Sequence, residues 1–186
     1  TGGRIRFLGG NLLMPAWPTA SSVASWFGKL NILDECDKIG VEGLGKEADL
    51  LTLLRKRMRD TSDSKLLAGS TPAQGYVYTE TIACQQVWSR TAQCPHCHAQ
   101  IRMDMDGFDI PENATVEQIK HGQVDVGYAC SDCGALWDEQ DRKSSYVNGR
   151  DIIIKGQDLT DPVSIGYHLP AWYLPQVPMT EICAAI

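Results

Sequence analysis

Charged and apolar residues alternate through residues 4–8 (RIRFL), the period-two pattern of a short strand. Gly9, Gly10 and Asn11 break it. Residues 12–27 are rich in Pro, Ser, Ala and Trp and predict loop with a short helix. Residues 29–33 (KLNIL) read as a compact apolar strand that ends in the acidic cluster Asp34, Glu35, Cys36 and Asp37. In residues 47–60 (EADLLTLLRKRMRD), Leu50, Leu51, Leu54 and Met58 recur at helical spacing and predict an amphipathic helix. Residues 65–68 (KLLA) read as another buried strand, followed at once by Gly69-Ser70-Thr71-Pro72. The order strand, irregular crossover, strand, helix, strand predicts part of an α/β layered domain with a parallel sheet.

Beyond residue 74 the pattern changes. Residues 76–88 fit a strand or a helix. Residues 104–122 are polar and read as an extended excursion. Asn148-Gly149 predicts a turn, and Ile152-Ile153-Ile154 a strand after it. Residues 163–174 (VSIGYHLPAWYL) are aromatic and apolar, punctuated by Pro162, Pro170, Pro175 and Pro178. There is no internal repeat and no low-complexity stretch.

Composition narrows the class of protein. Of 186 residues, 43% are hydrophobic and 22% charged, which is ordinary for a globular chain. No apolar run reaches membrane-spanning length and no signal-peptide pattern is present, so neither secretion nor a membrane partner is expected. The formal net charge of −6 argues against a wholly basic nucleic-acid surface while allowing a local basic patch. The chain opens at Thr1 and ends on the apolar residues 182–186, and is read as a piece of a longer protein.

Seven cysteines are present, and four of them form two Cys-x-x-Cys pairs: Cys94 with Cys97, and Cys130 with Cys133. An odd count with paired spacing fits a metal site in a reducing compartment better than a secreted disulfide framework. Each pair can turn two thiolates toward one ion, and two such knuckles complete a tetrahedron for zinc. Four thiolates leave no position open for water, so the expected site is structural. His96 and His98 flank the first knuckle and could replace a cysteine. A redox pair, buried thiols or an iron–sulfur cluster would also use these residues. Asp104, Asp106 and Asp109 (DMDGFD) look like half a calcium loop, but the glycine is misplaced and the terminal glutamate absent, so a solvated acidic loop is the reading.

The strand ending in Asp34-Glu35 has the form that nucleotide hydrolases use to place one carboxylate toward Mg²⁺ and the next toward the attacking water. A solvated turn is the simpler alternative. The hydroxyl pair Ser70-Thr71, at the end of the second strand, is suited to sensing a γ-phosphate beside it.

The succession LNILDECD, a helix carrying Arg55, Lys56, Arg57 and Arg59, LLAGSTP, CPHC, CSDC and GYHLPAWYLP resembles the large terminase subunit of tailed bacteriophages, in its lambda-type (GpA) branch. The resemblance runs over nearly the whole chain. It implies a partial P-loop ATPase-type parallel sheet layered with helices, plus a small four-cysteine zinc-ribbon-like module. Residues 1–90 would be the C-terminal part of the ATPase domain, 91–145 the zinc-binding module and 146–186 a connecting segment toward a nuclease domain. Asp34 would be the Walker B magnesium ligand, Glu35 the catalytic glutamate, Ser70 and Thr71 the coupling motif, and the four cysteines the family's zinc knuckles. The segment around Tyr167 and His168 would lead toward the nuclease.

The same resemblance implies ATP and magnesium in the intact protein, and double-stranded DNA, a small terminase subunit and the portal or procapsid as partners. It implies an oligomeric motor in the host cytoplasm. No Gly-Lys-Ser/Thr loop is present, and the phosphate-binding loop is expected upstream of Thr1; the nuclease carboxylates are expected beyond Ile186. The stretch before the acidic strand (VASWFGKL) lacks an arginine expected there. Taken alone, the chain is expected not to hydrolyse ATP.

Two other readings stay open at this point. Asp34-Glu35-Cys36-Asp37 matches the DECD form of the superfamily-two helicase box, although helicases follow it with Ser-Ala-Thr rather than Ser-Thr-Pro. A non-enzymatic zinc-ribbon adaptor for DNA or protein is the other, and it leaves the acidic strand unexplained. Arg55, Lys56, Arg57 and Arg59 could touch DNA phosphates, a solvated helix face being the simpler account.

Overall fold

The computed structural model describes residues 3–17, 19–25, 28–39, 50–59, 61–73 and 75–186. It divides into two units, Thr1–Thr79 and Glu80–Ile186.

In the first unit the opening strand does not enter a parallel sheet. β1 (Ile5–Arg6) folds back on β2 (Leu12–Leu13) as an antiparallel pair, with Ile5 opposite Leu13. The reason is local. Gly10 adopts φ of 80°, and the Phe7 N–H donates to the Asn11 carbonyl at 2.9 Å, so the Gly-Gly-Asn turn closes a hairpin within a few residues. The helix α1 (Ala20–Ser25) follows, its first turn held by the Ser22 N–H donating to Thr19 Oγ1.

β3 (Leu30–Asp34) and β4 (Lys65–Gly69) do run parallel, in register from Leu30 opposite Lys65 to Asp34 opposite Gly69. Parallel neighbours need a long crossover, and it carries α2 (Cys36–Ile39) and α3 (Leu50–Met58). Residues 47–49 and 60 of the expected amphipathic helix lie outside the described residues. Alternation splits the strand pair into two faces. Leu33, Leu66 and Ala68 pack with Cys36 and with Leu50 and Leu51 of α3. Burying each such leucine contributes about 1.5–3 kcal/mol. Leu30, Ile32 and Leu67 are exposed on the opposite face. Among the described residues the parallel sheet consists of these two strands.

α4 (Tyr76–Ala83) spans the division between the units and is followed by β5 (Gln86–Arg90), so the ambiguous stretch is a helix and then a strand. The second unit continues with β6 (Ala92–Gln93), β7 (Gln100–Ile101), β8 (Phe108–Asp109), α5 (Val116–Lys120), β9 (Gly127–Ala129), β10 (Leu136–Trp137), α6 (Glu139–Val147), β11 (Asp151–Lys155), β12 (Ile165–Tyr167) and α7 (Met179–Cys183). β5 is central, with β11 antiparallel on one side and β12 parallel on the other. β6 and β7 form one hairpin; β10, β9 and β8 form an antiparallel sheet in that order. At the turn into β11, a Cβ on Gly149 would collide with the Thr91 carbonyl oxygen, which is why that turn needs glycine.

The expected excursion over residues 104–122 is ordered instead. Asp104 spends a carboxylate oxygen capping the short turn Met105–Gly107, accepting the Gly107 N–H at 3.2 Å. Thr115 and Gln118 form a reciprocal capping box at the start of α5. Phe108 and Ile119 point from this stretch into the core. Phe108 meets Tyr128 edge-on at 5.1 Å, and Tyr128 lies 5.2 Å from Trp137.

One buried charge ties the aromatic C-terminal segment to this core. Arg142, 1% exposed on α6, donates Nε to Glu139 Oε2 at 3.1 Å and Nη2 to Glu139 Oε1 at 3.0 Å. Its remaining donors reach the carbonyls of Trp172 at 2.7 Å and Val177 at 2.6 Å. Glu139 in turn accepts the Met179 N–H at 3.1 Å, at the start of α7. Burial pushes the Glu139 carboxyl up, but the hydrogen bonds from Arg142 and Lys143 outweigh it and hold the carboxyl below the ordinary value of 4.5.

Arg142→Ala takes the donor from the carbonyls of Trp172 and Val177 while Glu139 keeps Lys143, so it is expected to lose about 1–3 kcal/mol in chemical denaturation. Because the Glu139 pKa is depressed in the folded state, its contribution is complete above the unfolded value and is lost as pH falls through the lower folded value. Glu139→Gln is expected to lower stability at neutral pH and to flatten the acid limb of the stability–pH curve. An unchanged acid limb would count against the clasp.

Candidate functional site

The four cysteines come together although 32 residues lie between Cys97 and Cys130. Their Sγ atoms all lie within 4.8 Å of one another. Cys94 and Cys133 are 3.8 Å apart, and Cys97 and Cys130 are 3.9 Å apart. Those separations are far beyond the roughly 2.05 Å of a disulfide, and all four cysteines are free. A tetrahedron with metal–sulfur bonds of about 2.3 Å has edges of about 3.8 Å, which the Cys94–Cys133 and Cys97–Cys130 separations match. A cluster whose ligands bind different irons needs sulfurs spread more widely, so a single ion fits this set better.

The two knuckles repeat one backbone design. Cys94 N–H donates to the Ala99 carbonyl and Cys130 N–H to the Ala135 carbonyl, both at 2.9 Å. His98 N–H returns to the Cys94 carbonyl and Gly134 N–H to the Cys130 carbonyl, again at 2.9 Å. The residue after each second cysteine is left-handed: φ is 71° at Gly134 and 62° at His98. Glycine takes this conformation at no steric cost, whereas histidine does not. His98 is thus part of the turn, and His96 Nε2 lies 3.4 Å from Asp141 Oδ2. Neither histidine joins the sulfur group.

Burial differs around the set. Cys94 and Cys130 sit in the aromatic core, Cys97 is half-buried and Cys133 is exposed. Burial raises the Cys94 thiol, but N–H bonds from Cys97 and His96 outweigh it and bring the pKa down to about 6. Burial pushes Cys130 up. Four negative sulfurs this close repel strongly, and a divalent cation removes that repulsion. The residues therefore could hold one metal ion.

The acidic strand end lies in the first unit. Asp34 ends β3 opposite Gly69, and Ser70 follows Gly69 directly. Asp34 Oδ1 accepts the Glu35 N–H at 3.0 Å. Glu35 holds a left-handed backbone, φ 54°, at the sharp turn from β3 into α2. Its Oε2 accepts the Ser70 hydroxyl at 3.2 Å and its Oε1 the Lys38 ammonium at 3.0 Å. The hydrogen bond from Lys38 holds the Glu35 carboxyl below 4.5. Thr71 is exposed beside Ser70, and Asp34 is also exposed. The structure thus brings Asp34, Glu35 and Ser70 to one end of the strand pair.

Two residues here were not singled out by sequence. Asp37, which closes the acidic run and its DECD form without a role of its own in the sequence reading, is 1% exposed and accepts backbone N–H groups from Ala73, Gly75 and Val77. Arg142 gave no signal beyond a charge on a polar helix. Arg55, Lys56, Arg57 and Arg59 are exposed on and just after α3.

The chain thus carries a parallel strand pair that ends in carboxylates and a hydroxyl, and a four-thiol set that could hold a metal. The chain belongs to the family of the phage terminase large subunit gpA, ATPase domain, whose model matches residues 2–150. That span includes both the acidic strand end and all four cysteines. Membership implies ATPase activity in the intact protein and makes the chain a component of a phage DNA-packaging motor. Comparison with curated proteins and with solved structures gave no match. Among the described residues, no helix is long and apolar enough to cross a membrane.

The equivalence of the knuckles generates a test. His98→Gly is expected to stabilise the metal-loaded protein by about 0.5–1 kcal/mol, by relieving the left-handed turn. It is also expected to leave metal retention unchanged in chelator competition. Loss of metal from this variant would make His98 a ligand.

Proposed function

We propose that the chain is the part of a viral DNA-packaging motor in which ATP hydrolysis is coupled to translocation of double-stranded DNA into the procapsid. The observation that supports it most is the meeting of Asp34, Glu35 and Ser70 at the end of a parallel strand pair, in a chain of the terminase ATPase family. Asp34 is the carboxylate that would hold Mg²⁺, which supplies charge neutralisation to the phosphates when bound. Glu35 orients and deprotonates the attacking water. Ser70, hydrogen-bonded to Glu35, reports its state to the segment after β4, and Thr71 completes this coupling motif. The phosphates need a Gly-Lys-Ser/Thr loop that this sequence does not contain, so another part of the intact protein supplies it. DNA cutting belongs to a separate nuclease domain.

On this reading the parallel pair is part of a P-loop-type sheet. Residues 1–90 serve the ATPase, 91–145 form the zinc-binding module, and 146–186 connect toward the nuclease. Zinc is the ion for the four thiolates, because d¹⁰ zinc accepts a closed tetrahedral sulfur set and needs no open position in a structural role. The small terminase subunit, the portal or procapsid and further copies of the large subunit are the partners in the host cytoplasm.

In the intact protein, Glu35→Gln is expected to bind ATP normally while turnover falls by about 10²- to 10⁴-fold, the usual worth of a positioned general base. Equilibrium binding of a nucleotide analogue and steady-state phosphate release measure the two effects separately. Turnover at the parent rate would remove Glu35 from the chemistry. The 186-residue chain alone is expected to show no turnover.

A further inference from the structure

The buried carboxylate of Asp37 is not used by the chemistry above, yet it is the most heavily engaged group near the acidic strand end. It lies on α2, two residues after Glu35, and is 1% exposed. Oδ1 accepts the Val77 N–H at 2.9 Å; Oδ2 accepts the Gly75 N–H at 3.2 Å and the Ala73 N–H as well. These three donors belong to the segment that starts at Ser70 and enters α4. Val77 lies in the first turn of α4, where unpaired N–H groups and the positive end of the helix favour a carboxylate. Gly75 adopts φ of 83°, so the segment bends sharply to bring these amides to one acceptor.

Two connections therefore join the turn after β3 to the segment after β4. One is made at the exposed side of the Glu35 carboxylate, which accepts the Ser70 hydroxyl at 3.2 Å and also interacts with the Thr71 N–H. The other is the Asp37 clamp, buried and made to three backbone amides. Both connections end on a carboxylate, but the Asp37 clamp is buried and held by three backbone amides, which makes it the stiffer of the two.

We propose that Asp37 is a positioning residue of the ATPase site. It fixes the start of α4 and the preceding loop so that the Ser70 hydroxyl meets Glu35 in register. This rests on the roles given above to Glu35 and Ser70. With its carboxylate buried against backbone amides, Asp37 acts through Ser70.

The test uses the intact terminase large subunit with Asp37→Asn, Ser70→Ala and the two combined. Asparagine keeps the size and one acceptor oxygen but gives up the charge and the second acceptor. The Asp37→Asn protein is expected to melt cooperatively, with KM for ATP within about twofold of the parent. Its kcat is expected to fall by about tenfold to a hundredfold, as for a small misplacement of a reacting group. Because Asp37 works through Ser70, the double variant is expected to lie within about twofold of the slower single variant. Parent-like kcat in a folded Asp37→Asn protein overturns the proposal, and so do losses that multiply in the double variant. Non-cooperative melting assigns Asp37 to the fold and overturns it too. Amide exchange in the unmodified protein gives a reading free of any variant. Slow exchange at Ala73, Gly75 and Val77 supports the clamp, and exchange at the rate of an open loop overturns it. Normal turnover by Glu35→Gln would instead remove the ATPase assignment itself, whatever Asp37 does.

Discussion

Four thiol sulfurs within 4.8 Å of one another are the constraint on which the second unit depends. As thiolates they repel, and as thiols they would be four weak donors with poor partners, two of them buried. A divalent cation would resolve both difficulties at once, and the rest of the unit is built around the four sulfurs. Cys94 and Cys130 enter the aromatic core from the two knuckles, next to Tyr128 and Trp137. The Tyr173 hydroxyl accepts the Met103 N–H at 2.8 Å, and Arg142 grips the carbonyls of residues 172 and 177. The C-terminal aromatic segment is thereby fastened to the metal module. Several kcal/mol of folding energy in such modules comes from the ion itself.

The first unit depends on a different kind of constraint. Two parallel strands in exact pairing put Asp34 opposite Gly69, so the residues after each strand must emerge side by side. That alone places Glu35 within reach of Ser70. The left-handed turn at Glu35 redirects the chain into α2 and presents Asp37 to the interior. Two carboxylates thus sit two residues apart with opposite environments: Glu35 half-exposed and ion-paired to Lys38, Asp37 buried and bonded to backbone amides.

How much of this was legible in the sequence follows from the range of each interaction. The Cys-x-x-Cys pairs were legible because a metal site needs particular residue types at fixed short spacing. β3, β4 and α3 were legible because their apolar period is local. The β1–β2 hairpin was misread because the alternation of residues 4–8 was given more weight than the Gly-Gly-Asn turn beside it. In residues 104–122 the Thr115-x-x-Gln118 capping box was present to be read, and the polar character of the stretch hid it. The β11–β5–β12 sheet was not legible: β5 pairs with strands more than sixty residues away, and nothing local announces such partners. Asp37 and Arg142 were missed for the same reason. A buried charge looks like a surface charge in sequence, since its partners are backbone groups supplied by distant segments.

The zinc proposed above would organise the four-cysteine unit of this terminase-family chain. Elemental mass spectrometry on protein purified without chelator tests it most directly, with Cys130→Ser as the control. The account predicts one zinc per chain in the parent and none retained in the control. Protein that is folded and metal-free, or that carries iron with sulfide, or that holds these cysteines as disulfides, would contradict it.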